Sequence, residues 1–180
     1  MTTRFLVPLA AFALLVVVLA IGIRHSPEKG VIASPLIGKP APPFSLPELG
    51  NSGRLVSSVD FKGKWYLFNV WGTWCYECRA EHEMLLEVQR SALLPLVGLD
   101  WKDDDTEART WLTQLGNPYV VVATDHSGRT AIDWGVYAAP ESFLVDPRGI
   151  VVYKVTGALT REVWTRDILP RVSAASLAGS

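Results

Sequence analysis

The pattern of apolar and polar positions begins with a block. Phe5 to Ile23, FLVPLAAFALLVVVLAIGI, is nineteen residues without a charge, bounded by Arg4 and by Arg24 with His25. A helix crossing a bilayer core needs about twenty apolar residues, so residues 1–24 read as a single transmembrane anchor. A cleaved secretion signal has a shorter apolar core of about 7–15 residues, although Ala20 and Gly22 offer a small-x-small cut and keep that alternative open. Arg4 on one side and Arg24 with Lys29 on the other leave the orientation undecided by charge. Residues 25–43 carry Pro27, Gly30, Pro35, Gly38, Pro40, Pro42 and Pro43, which deny helix and limit pairing, so the stretch reads as an extended linker.

Beyond it, residues 44–175 alternate between two periods. Phe44 to Leu46 and Arg54 to Ser57, separated by Gly50-Asn51-Ser52-Gly53, predict an N-terminal hairpin. Trp65 to Trp71, WYLFNVW, is continuously apolar and aromatic, as in a strand buried on both faces. Arg79 to Arg90 sets Met84, Leu85 and Val88 at helical spacing, and that helix begins at the cysteines. A strand at Leu94 to Leu99, a helix at Thr106 to Leu115 capped by Asp105 or Thr106, and a strand at Tyr119 to Ala123 follow. Thr130 to Trp134 is a short helix or turn. Ser142 to Val145 and Val151 to Val155 flank the turn Asp146-Pro147-Arg148-Gly149, and Arg161 to Val172 is amphipathic. Strands alternating with helices and closing on a hairpin plus helix imply an α/β sandwich with a mixed central sheet.

Composition narrows what such a domain can do. Nearly half of the 180 residues are hydrophobic, including seven tryptophans, so a core forms without a disulfide staple. A net charge of −1 with no basic run argues against nucleic acid as a partner. The two cysteines, Cys75 and Cys78, are thus free for chemistry. In Trp74-Cys75-Tyr76-Glu77-Cys78 they lie on one face of a first helical turn, where a disulfide can close and reopen. The unpaired N–H groups of a helix start favour a thiolate at Cys75, the candidate nucleophile; Cys78, inside the turn and expected to be better buried, would resolve the mixed disulfide. A purely structural disulfide gains little from so short a loop. Structural zinc needs about four ligands, and only His25, His82 and His126 accompany the cysteines, so no resident metal or cofactor is expected; a copper-carrier set of Cys75, Cys78 and His82 stays open.

The segment Asn69-Val70-Trp71-Gly72-Thr73-Trp74-Cys75-x-x-Cys78-Arg79-Ala80-Glu81-His82 resembles the active-site segment of membrane-anchored thioredoxin-like proteins. Trp101-Lys102-Asp103-Asp104, Gly116-Asn117-Pro118-Tyr119 and Gly135-Val136-Tyr137-Ala138-Ala139-Pro140-Glu141 are similar to the DsbE/CcmG branch, the thiol:disulfide interchange proteins of cytochrome c maturation. The resemblance, running from about Gly38 to Ile168, implies a thioredoxin-like sandwich. It also implies a cis Ala139-Pro140 bond opposite the cysteines and a substrate groove formed by Trp74, Glu81, Tyr137, Ala139, Pro140 and Glu141. The Ala139 backbone is then expected to pair with a substrate strand. Tyr76-Glu77 stands where the family often has a proline, Ala138 replaces a usual glycine, and Ala158 stands where an aspartate is common. Asn69 occupies the place of a buried aspartate of cytosolic thioredoxins; an amide cannot take a proton, so Glu81 or Glu141 is the substitute, unless both are solvated surface glutamates.

Glu77, Glu81 and Glu141 would raise the energy of a nearby thiolate and make the pair a reductant. The resemblance points the same way: a protein of the inner membrane, with its domain on the periplasmic side, that keeps the haem-attachment cysteines of apocytochrome c, or a thiol partner of that pathway, reduced. It would be re-reduced through a membrane electron conduit. A general extracytoplasmic reductase, a copper-delivery module and a non-catalytic apocytochrome adaptor are the other readings.

Overall fold

The computed structural model describes residues 3–24 and 34–178. It divides into two units, Met1–Ile32 and Ala33–Ser180. The first contains helix α1, Thr3–Arg24, of 22 residues. Among the described residues no helix is long and apolar enough to cross a membrane. The part of α1 whose side chains are described, residues 8–21, covers about 21 Å at 1.5 Å per residue, against a bilayer core of about 30 Å.

In the second unit β1 (Ser45–Glu48), β2 (Asn51–Ser57), β3 (Tyr66–Trp71), β4 (Leu96–Trp101), β5 (Val121–Asp125), β6 (Glu141–Val145) and β7 (Val151–Thr156) form one sheet in the order β2-β1-β5-β4-β3-β6-β7. β3, β4 and β5 run parallel, while the hairpins β1-β2 and β6-β7 join them antiparallel. This is the mixed sheet expected; β4 is its middle strand and β3 lies beside it, between β4 and β6, with every β3 residue buried. The helices are α2 (Tyr76–Ser91), α3 (Asp105–Leu115), α4 (Arg129–Asp133), α5 (Arg161–Val163) and α6 (Leu169–Ala178). The predicted last helix is broken by a π-helical turn at Trp164–Ile168.

Period-two alternation along β3 sorts the core. Leu67 and Trp71 face a cluster completed by Leu85 and Val88 of α2, Ala108 and Leu112 of α3, and Trp164, Ile168 and Val172 of the C-terminal helices. Tyr66, Phe68 and Val70 face Phe44, Phe61, Trp134 and Phe143 on the other side. Trp134 stacks on Phe68 with ring centroids 4.1 Å apart, which fixes the short helix α4 beneath the sheet.

Three expectations change. Ser34–Pro43, expected as linker, belongs to the domain: Gly38 and Ala41 donate backbone hydrogen bonds to Val151 and Gly149, both at 2.8 Å. The open edge at the start of β7 and the turn before it supply the acceptors. The first part of the expected linker, residues 25–33, lies outside the described residues. The cap of α3 is Asp104, not Asp105 or Thr106, its carboxylate accepting from Thr106 and Glu107 N–H. Asn51–Gly53, expected as turn, is the start of β2, leaving Leu49-Gly50 as the reversal, with Gly50 at φ +80°.

Candidate active site

β3, β4 and β5 end on the same side of the sheet, and there β3 hands the chain to the cysteines. Cys75 is the N-cap of α2, with its sulfur accepting the Cys78 N–H at 3.1 Å. The two are joined as a disulfide, Cα atoms 5.3 Å apart. The predicted difference in exposure is not there: Cys75 is 4% exposed and Cys78 2%. Both sink into the apolar cluster, against which Ala139 packs, so what distinguishes them is position on the helix. The Ala139-Pro140 bond is cis, as the resemblance implied.

The approach to Cys75 is shaped by groups far away in sequence. Thr73 donates through both its N–H and its hydroxyl to Asp103, the hydroxyl at 2.7 Å. Trp74 is exposed, and its indole N–H reaches the Trp101 carbonyl at 3.1 Å. That pose requires Gly72, since a Cβ there would stand 2.5 Å from the Trp74 indole nitrogen. Tyr76, 83% exposed, and Tyr137 add further aromatic surface at this end of the domain.

Beneath lies a buried polar network. Glu81 is one helical turn past Cys78 on the same face of α2 and only 1% exposed. Its carboxyl accepts from the Leu159 N–H at 2.6 Å and from the Asn69 amide at 2.9 Å. Asn69 also donates to Ser142 Oγ and accepts from the Tyr119 hydroxyl at 2.7 Å. Burial pushes the Glu81 acid from 4.5 up to about 7, although the Leu159 and Asn69 donors pull it back. Asp100, at the end of β4 beside Trp71 in register, is also buried. Loss of solvent and then the neighbouring Asp103 push it up to about 8.

The surface reading of the glutamates is therefore overturned for Glu81 and Glu141, both buried, while Glu77 is exposed. Glu141 is not a free acid in the groove. It pairs with the buried Lys154 ammonium at 2.8 Å; burial raises its acid while Lys154 opposes that rise. His82 accepts the Trp111 indole N–H at Nδ1 (3.3 Å) and places Nε2 3.0 Å from the Gly116 carbonyl. Both ring nitrogens are engaged, and burial lowers the affinity of the ring for a second proton, which leaves the copper set of Cys75, Cys78 and His82 without its imidazole. Among the described residues no cluster of three or more His, Cys, Asp or Glu side chains could hold a metal ion.

Sequence reasoning placed Gly72 and Asp103 within motifs without giving them a role, and missed Ser142 and Lys154 as parts of this end of the molecule. A lysine inside a strand, VVYKVT, was the one local signal among them.

Residues 36–169 match the Redoxin family. The chain is 41% identical to the thiol:disulfide interchange protein DsbE of Allochromatium vinosum over 94% of its length and 93% of that protein's. It is 39% identical to the DsbE of Pseudomonas aeruginosa over 92% of this chain and 90% of that one. Among solved structures, a DsbE-like thiol:disulfide interchange protein from Chlorobium tepidum superposes with a TM-score of 0.65 at 26% identity, over 78% of this chain and 97% of that one. The cysteine pair at a helix start, the thioredoxin-like mixed sheet and these likenesses together place the chain in the DsbE family of thiol:disulfide interchange proteins.

Proposed function

We propose that this thiol:disulfide oxidoreductase works as a reductant on the periplasmic side of the inner membrane. Its substrate is the disulfide of the haem-attachment cysteines of apocytochrome c, or of a thiol partner in cytochrome c maturation. The observation that carries the direction is Glu81, a buried carboxyl one turn from Cys78 whose acid range reaches neutrality. A carboxylate there raises the energy of the thiolate form, and a dithiol whose thiolate is poorly stabilised is a reductant. The Cys78 N–H at the Cys75 sulfur works against this by favouring a thiolate at the nucleophile. The helix end makes Cys75 reactive, while Glu81 keeps the pair as a whole reducing.

The cycle balances as follows. The Cys75 thiolate attacks one sulfur of the substrate disulfide and displaces the other as a thiolate, which takes a proton. Glu81 then accepts the Cys78 proton, and the Cys78 sulfur attacks Cys75, releasing the second substrate thiol and closing the Cys75–Cys78 disulfide. An acid near pH 7 suits both taking and returning that proton. Ala139, beside the cysteines, offers its backbone to the substrate strand, with Trp74 and Tyr137 as the aromatic walls. Re-reduction through a membrane electron conduit restores the dithiol without a bound cofactor. The complete α1 would reach about 33 Å, and its uncharged Phe5–Ile23 stretch supports a lipid-embedded anchor.

Reduction of an oxidised C-x-x-C-H peptide by the dithiol form, together with rescue of a strain lacking its cytochrome c reductant, tests this reading. Net oxidation of the dithiol peptide would overturn the direction. Equal turnover of unrelated disulfide peptides, with no rescue, would select a general extracytoplasmic reductase instead.

A further inference from the structure

Lys154 lies in the middle of β7, opposite Phe143 of β6. Its side chain is 4% exposed, an expensive place for an ammonium unless something there requires it. The ammonium also lies 5.0 Å from the Phe143 ring centroid on β6, but its two oxygen contacts both lead to one segment. The ammonium stands 2.8 Å from the Glu141 carboxylate and 3.1 Å from the Gly135 carbonyl, and its nitrogen is 5.0 Å from the Tyr137 ring centroid. Gly135 and Glu141 are the two ends of the segment that carries Tyr137, Ala139 and Pro140. The far side is closed as well, because the Gly157 N–H donates to the Pro140 carbonyl at 2.9 Å.

We infer that Lys154 is a positioning residue for disulfide exchange: by joining the Gly135 carbonyl to the Glu141 carboxylate it clamps the 135–141 segment in the shape that presents the Ala139 backbone to a substrate strand. Glu141 then serves as the anchor of this clamp rather than as a proton acceptor for the cysteines. The inference rests on the reading that a substrate strand pairs along Ala139. A small disulfide needs only the sulfur of Cys75, whereas a peptide needs the edge that the clamp shapes, so the two substrates separate positioning from chemistry.

The test compares wild type, Lys154→Met and Lys154→Arg on three substrates: an oxidised C-x-x-C-H peptide, an unrelated disulfide-bonded peptide, and an aromatic small-molecule disulfide. Lys154→Met is expected to raise the peptide KM roughly tenfold with kcat little changed, the pattern of lost substrate binding. Its rate with the small disulfide and its redox potential should stay at wild-type values, and Lys154→Arg should restore the peptide KM. An unchanged peptide KM, or a proportional loss on all three substrates, would overturn the inference. Removing one partner of a buried pair can prevent folding, and then the double variant Lys154→Met with Glu141→Gln carries the test through its peptide KM. A wild-type KM in that variant overturns the clamp. A wild-type protein that reduces the unrelated peptide but ignores C-x-x-C-H defeats the proposed substrate alone, and the clamp is still read on the unrelated peptide.

Discussion

At the scale of single residues, the two sulfurs are told apart by their place on α2. Cys75 caps the helix and receives the Cys78 N–H, so it is the sulfur whose thiolate the helix end stabilises. Cys78→Ser should therefore trap a mixed disulfide through Cys75, seen by mass mapping of the partner peptide; a partner held only on Cys78 of Cys75→Ser would reverse the roles. Glu81→Gln removes a carboxylate that opposes the thiolate. The potential should move toward the oxidising end, by on the order of 30 mV for each 1.4 kcal/mol of lost repulsion. Equilibration with glutathione buffers measures it, and a shift toward the reducing end would refute the electrostatic argument. Glu81 is legible in the sequence only as a carboxylate near the cysteines. Its burial depends on Leu159 and Asn69, seventy-eight and twelve residues away.

At the scale of elements, the start of α3 is fixed locally and the loop before α2 by a distant partner. The Asp104 carboxylate accepts the Thr106 and Glu107 N–H groups, and its side chain is otherwise exposed. Asp104→Ala should lower the midpoint of urea unfolding by loss of the cap and leave the redox potential unchanged. Asp103, its neighbour, holds Thr73 instead. Asp103→Ala is expected to loosen the Thr73-Trp74 ledge, raising amide exchange at Thr73 severalfold by the lost backbone hydrogen bond. Unaltered exchange there would show that Gly72 and the Trp101 carbonyl suffice to hold it. The strand and helix periods were readable because they repeat every two or 3.6 residues along the chain. The grip of Asp103 on Thr73 was not, because it spans thirty residues and two elements.

For the whole molecule, the buried acids make stability depend on pH in an unusual sense. Glu81 is raised from 4.5 to about 7 and Asp100 from 3.8 to about 8, so between those limits the folded protein binds more protons than the unfolded chain. Stability then falls as pH rises, by on the order of 3 kcal/mol for Glu81 once pH has passed about 7. Calorimetry of the oxidised domain between pH 5 and 8 should show a falling Tm. Glu81→Gln should remove much of that slope and Asp100→Asn the part reaching to pH 8; a flat or rising Tm would contradict the burial argument. Intact mass of membrane-extracted protein checks the anchor, since a mature chain beginning at Ile23 or later would make it a cleaved leader. By itself the sequence determined what depends on neighbours along the chain: the apolar head, the fully buried strand β3, the helix beginning at Cys75, and, through several spaced motifs, the family. Tertiary structure alone decided that Ser34–Pro43 joins the domain, that both cysteines are buried, that Glu81 is sealed beneath them and that Glu141 is paired with Lys154. Each of these follows from the order of strands in the sheet, which brings together groups that no local period relates.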